Sequence, residues 1–179
     1  MNIAEIKEKL YNGNKRYVES GRYEGDVSAS MRLVNANAQT PYAVVITCSD
    51  SRVIPEVVFD ASLGDLFVIR VAGNVMDKHQ LGSVEYAVEH LEVKYVLVLG
   101  HTGCGAVNAA LSHDPEGYVR HITNEIKLAI KNEKDPKKAC CLNAKRSAYL
   151  IKKHLSHYDL TVKSAVYDIL SGEVTFSND

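Results

Sequence analysis

Three short β-branched runs, YAVVIT (42–47), LFVIRV (66–71) and YVLVLG (95–100), are separated by stretches of helical periodicity. Runs that are apolar at nearly every position, rather than every second one, suit strands covered on both faces, as in a parallel sheet. Strands alternating with helices therefore predict an α/β fold: a mainly parallel central β-sheet flanked by helices.

The rest of the chain fits around that frame. Residues 3–20 predict a helical arm, with Ile3, Ile6 and Leu10 as its apolar stripe, and residues 20–40 read as a Gly-, Ser- and Asn-rich loop closed by Pro41. PEVVFD (55–60) reads as a short helix with proline at its first position. Residues 82–91 predict a helix burying Val84, Ala87, Val88 and Leu91, with Ser83 as its cap, and a further helix starts at 106–111. Segments 117–133 and 139–156 are charged and helical, joined by the solvated linker NEKDPKK. VKSAVYDI (162–169), Ser-Gly and EVTF (173–176) predict a C-terminal hairpin or edge strand. Residues 1–179 thus form a single domain, with an arm and loop over 1–40 and the α/β core over 41–179. Gly73 and Gly103 are expected in turns that need positive φ.

Composition narrows the function. Basic residues number 21 and acidic residues 22, a formal net charge of −1, which excludes a general nucleic-acid or anionic-membrane binder. Hydrophobic residues are 46% of the chain, enough for a packed core, yet no apolar run approaches the ~20 residues needed to span a bilayer. The N-terminal MNIAEIKEKL carries charges where a signal peptide needs its apolar centre, so the expected location is cytoplasmic. In that reducing compartment Cys48, Cys104, Cys140 and Cys141 read as thiols or metal ligands rather than disulfides.

Two of the strands run into residues with ligand chemistry. The first ends in Thr47-Cys48-Ser49-Asp50-Ser51-Arg52 and the third in Gly100-His101-Thr102-Gly103-Cys104-Gly105. Ligands of open parallel sheets collect at the carboxyl ends of the strands, so Cys48, His101 and Cys104 are expected at one edge. Thiolate and imidazole are donors that Zn²⁺ prefers, and three protein ligands leave a fourth position for water or for Asp50. Arg52, two residues beyond Asp50, can hold that carboxylate in a charge-assisted pair and so keep the position open.

With CSDSRV (48–53), PEVVF (55–59), GDLFVIRVAGN (64–74), GSVEYAV (82–88) and GHTGCGAV (100–107), the chain resembles the β-class carbonic anhydrases. The resemblance runs from the N-terminal helix to the terminal hairpin and is weakest from about 112 to 140. Its most specific element is Cys-x-Asp-x-Arg followed by His-x-x-Cys after a later strand. The resemblance implies one Zn²⁺ per chain on Cys48, His101 and Cys104. It implies reversible hydration of CO₂ to bicarbonate and a proton by attack of zinc-bound hydroxide, with Asp50 and Arg52 as the dyad that orients the nucleophile. It further implies a substrate contact from Gln39, an apolar CO₂ pocket of Phe67, Ala72 and Tyr86 lined partly by a second subunit, and a homodimer or higher homo-oligomer whose N-terminal helices embrace the neighbour. Val45 stands where the bicarbonate-inhibited subtype carries tryptophan, which implies the open, plant-type subtype. His79, His113 and His121 are the candidate proton carriers.

Other readings use parts of the same pattern. The same metal site suits COS or CS₂ hydrolysis. A zinc-binding scaffold would need the ligands but not the Asp50–Arg52 pair. A nucleotide-binding module would use glycine turns after parallel strands, but the chain lacks both G-x-G-x-x-G and a Walker lysine. Read one at a time, the same residues have ordinary roles: Cys48 and Cys104 as buried thiols, Asp50 and Arg52 as a surface pair, Phe67 and Tyr86 as core.

Overall fold

The computed structural model of the chain describes residues 1–112 and 114–177. Helix α1 (Ile3–Ser20) opens it, followed by α2 (Ala29–Val34), β1 (Ala43–Thr47), α3 (Pro55–Val58) and β2 (Leu66–Arg70). A 3₁₀ turn (Ala72–Asn74) leads to α4 (Lys78–His90), β3 (Tyr95–His101), α5 (Gly105–Ser112), α6 (Val119–Ile130), α7 (Pro136–His154), β4 (Thr161–Tyr167) and β5 (Val174–Phe176). The strands lie in the order β2-β1-β3-β4-β5; β1, β2, β3 and β4 are mutually parallel and β5 runs antiparallel to β4.

Alternation along the strands sends their side chains to two cores. Val44, Ile46, Val96 and Val98 face α4 and α7, where Val84, Ala87, Ala144, Ala148 and Ile151 close one side. Ala43, Val45, Tyr95, Leu97 and Leu99 face α1 and α3, where Ile6, Leu10, Val58 and Phe59 close the other. Every residue of β1 and β3 is buried, so these two strands are the fixed axis on which the site is hung.

Several boundaries differ from the sequence expectations for local reasons. The 20–40 segment contains α2, capped by Ser28 Oγ on the Met31 N–H. Helix α4 begins at Lys78, because Asp77 and Gln80 form a capping box ahead of it. Ser83, expected as the cap, lies inside that helix and donates to the His79 carbonyl. β4 is not merely half of a hairpin: it pairs in parallel with all of β3, from Tyr95–Thr161 to His101–Tyr167, leaving only β5 on that edge.

Helix α1 rests on its own chain's sheet. Asn2 and Glu5 form its capping box, and Gly21 ends it in the left-handed conformation at φ 66°. Burial of Ile6 and Leu10 stabilises the contact by roughly 1.5–3 kcal/mol each. The approach to α3 is so close that a Cβ on Gly13 would lie 1.9 Å from the Phe59 carbonyl oxygen. Buried Asn14 then ties three distant segments: its amide donates to the Val58 and Gly172 carbonyls, and its oxygen accepts from Val174 N–H. The four cysteines are free thiols.

Candidate metal centre

Cys48 follows the last residue of β1, and His101 is the last residue of β3. The two strand ends are locked together by Thr47 Oγ1, which donates to the Leu99 carbonyl at 2.8 Å. Beyond His101 the chain reverses through Gly103, at φ 67°, and returns Cys104 to the same point just before α5 begins. A side chain would disfavour that backbone conformation, which is why glycine sits between the two potential ligands. The donor atoms of Cys48, His101 and Cys104 all lie within 4.8 Å of one another, and the two sulfurs are 4.0 Å apart.

The hydrogen bonds around this cluster leave it suited to a cation. His101 is 1% exposed, and its Nδ1 lies 3.0 Å from the Thr102 carbonyl. A carbonyl only accepts, so Nδ1 carries the proton and Nε2 presents its lone pair to the cluster. That Nε2 is buried without a hydrogen-bond partner. Cys48 Sγ receives the Gly73 N–H at 3.2 Å. The hydrogen bond between the thiols, aided by the Gly73 N–H, lowers Cys48, and the same bond together with burial pushes Cys104 up. A hydrogen bond between two sulfurs needs a proton between them, which a divalent cation would displace. An acceptor-only imidazole nitrogen and two close sulfurs, all buried, fit zinc.

Asp50 stands beside the cluster, its Oδ2 3.9 Å from His101 Nε2. Arg52 grips it with Nε on Oδ1 at 2.9 Å and Nη2 on Oδ2 at 2.7 Å, and the Arg52 N–H adds a third bond at 3.0 Å. These bonds hold the carboxyl well below the usual carboxylate range, so it is an ionised acceptor throughout neutral pH. Arg70 fixes the backbone of the same loop by donating to the Cys48 and Asp50 carbonyls.

The expected pocket residues are less tightly assembled. Ala72 is half-buried in the 3₁₀ turn, next to Gly73. Phe67 on edge strand β2 and Tyr86 on α4 approach with ring centroids 6.2 Å apart, and Tyr86 remains 47% exposed. Gln39 is exposed in the segment before β1. Of the histidines considered as proton carriers, His79 lies exposed in the first turn of α4 and His121 exposed on α6, while His113 falls outside the described residues.

Sequence reasoning missed the contribution of α7. Cys140 is buried against the cluster, packed with Cys48 and Cys104. Asn143 and Ser147 follow on the same helix face, both buried. The available signal was a polar stripe at spacings of three and four on an otherwise apolar helix face.

A carbonic anhydrase family model matches residues 43–174. Carbonic anhydrase 2 of Mycobacterium tuberculosis is 47% identical over 122 residues, a match spanning 65% of this chain and only 59% of that relative. A Coccomyxa β-carbonic anhydrase solved in complex with acetazolamide superposes with a TM-score of 0.75 at 26% identity, covering 93% of this chain and 84% of that one. A tetrameric β-carbonic anhydrase from Sordaria macrospora shares the fold at TM-score 0.71 and 23% identity, covering 98% and 95% of the two chains. With the family model spanning most of the chain and the Cys-His-Cys cluster at the strand ends, this chain belongs to the β-class carbonic anhydrases.

Proposed function

We propose that the chain is a zinc-dependent carbonic anhydrase that reversibly hydrates CO₂ to bicarbonate and a proton. The observation that carries this reading is the buried cluster with its unpaired His101 Nε2, beside a carboxylate that Arg52 holds with two bonds. Cys48, His101 and Cys104 hold the metal. Zinc supplies the Lewis acidity that brings the pKa of water toward ~7 in sites with neutral ligands. Two thiolates offset the metal charge here, so activity is expected to rise through and above neutral pH.

The remaining residues orient and enclose. Asp50, ionised and anchored by Arg52, accepts a hydrogen bond from the attacking water and so sets which lone pair faces the CO₂ carbon. The grip of Arg52 keeps both carboxylate oxygens engaged, which supports an open fourth position and the plant-type subtype. Phe67, Ala72 and Tyr86 form the apolar side of the CO₂ site, and Gln39 donates its amide to a substrate oxygen. Half-exposed Tyr86 on α4, beside partly buried Phe67 of edge strand β2, suits completion by a second subunit, giving a homodimer or higher homo-oligomer. No helix among the described residues is long and apolar enough to cross a membrane.

The test is stopped-flow CO₂ hydration on protein carrying one zinc per chain, from roughly pH 6.5 to 9, about one unit either side of the expected water pKa. Zinc-dependent turnover that grows with pH and is inhibited by acetazolamide, the ligand of the Coccomyxa relative, is the expected result. Zinc-loaded protein without turnover at any pH overturns the proposal.

A further inference from the structure

The 3₁₀ turn Ala72–Asn74 is held harder than a connection between a strand and a helix requires. Gly73 sits in it at φ 68°, and its N–H donates to Cys48 Sγ. From one side the turn is roofed by α5 and α6: a Cβ on Gly73 would lie 2.8 Å from Ile126 Cδ1 and 3.1 Å from Ala106 Cβ. From the other, α7 takes up two successive carbonyls. Asn143 Nδ2 donates to the Gly73 carbonyl at 2.6 Å and Ser147 Oγ to the Asn74 carbonyl at 2.8 Å. The Asn74 N–H closes the turn on the Val71 carbonyl at 2.9 Å.

Asn143 and Ser147 are each 2% exposed, in a helix face that otherwise packs with Ala139, Ala144, Ala148 and Ile151. Placing an amide and a hydroxyl there is favourable because they pair carbonyls that would otherwise be buried without partners. Fixing the successive Gly73 and Asn74 carbonyls restricts the turn's dihedral angles, and these set where the preceding peptide N–H points. It points at a sulfur.

Resting on the zinc reading above, we propose that Asn143, assisted by Ser147, is a positioning residue of the metal centre: it holds the Ala72–Asn74 turn so that Gly73 N–H donates to Cys48 Sγ. A hydrogen bond to a ligating sulfur draws electron density from it and fixes its direction. Outer-sphere partners of this kind typically change metal affinity 10–100-fold.

The test uses the full chain with cobalt(II) replacing zinc, whose sulfur-to-cobalt charge-transfer band reports electron density on the thiolates. Asn143→Ala is expected to move that band to lower energy and to weaken metal retention against a competing chelator about tenfold. Ser147→Ala, a smaller excision, is expected to shift both in the same direction by less, and it decides the matter if Asn143→Ala does not fold. Ile151→Val, buried on the same helix away from the turn, is expected to lower stability and leave the band in place. Folded variants of Asn143 and Ser147 with an unmoved band and unchanged metal retention overturn the positioning role. Wild-type protein that gives no charge-transfer band overturns the zinc reading itself, and this inference with it.

Discussion

Replacing Asn14 with alanine removes a side chain that joins the N-terminal helix to both α3 and the turn before β5. Asn14 is 6% exposed and makes three hydrogen bonds, to Val58 at 3.0 Å, Gly172 at 2.8 Å and Val174 at 2.8 Å. At a net value of about 1 kcal/mol per bond the loss is about 3 kcal/mol. Alanine is the better helix former by roughly 0.5 kcal/mol, which offsets part of it. The expected destabilisation is therefore about 2–3 kcal/mol, a sizeable share of the ~5–15 kcal/mol that holds a domain folded. In a chain of 179 residues this lowers Tm by roughly 4–12 °C. Urea unfolding followed by circular dichroism, repeated over a range of protein concentrations, measures it. A loss below about 0.5 kcal/mol, within the range of an ordinary surface substitution, refutes the anchoring argument. A loss that depends on protein concentration refutes it differently, by showing that the contacts of α1 are made with a second subunit instead.

The other predictions concern the site and the alkaline limb of stability. Asp50→Asn keeps the Cys-His-Cys cluster and is expected to retain zinc by metal analysis while losing about 10²-fold or more in turnover; unchanged turnover removes Asp50 from the mechanism. Cys104→Ala leaves two donors and is expected to purify without stoichiometric zinc; full zinc content would place the third ligand elsewhere. Burial pushes Tyr95 and Tyr167 up to about 12, from 10.0 when unfolded. The unfolded chain then releases protons first, so stability is full below about pH 10 and falls above it by about 1.4 kcal/mol per pH unit for each tyrosine. Tyr95→Phe is expected to flatten that alkaline limb by one such increment, and an unchanged slope in pH-dependent urea titrations rejects the assignment.

The legible parts of this chain are those with a short-range physical signature. Runs such as YVLVLG declare buried parallel strands because they are apolar on both faces, and the parallel order brings their carboxyl ends, hence Cys48 and His101, to one edge. Gly103 announces the reversal that returns Cys104, since only a left-handed residue turns the chain so tightly. Pro55 marked the start of α3 equally plainly. Less legible is α4, where Ser83 is a plausible cap but Asp77, paired with Gln80, forms a better one six residues upstream.

What no local pattern carried is the support of the site from far along the chain. Cys140, Asn143 and Ser147 look like any polar residues in a charged helix until α7 is laid against β3 and the 3₁₀ turn. The tautomer of His101 depends on a carbonyl made available by the Gly103 reversal, and the state of Cys48 on a backbone N–H 25 residues away. Composition and periodicity are sums over neighbours in sequence, so they report strands, helices and ligand types. Hydrogen bonds between segments 70 residues apart, such as Asn143 to Gly73, exist only once the sheet has closed, and it is these that orient the ligands.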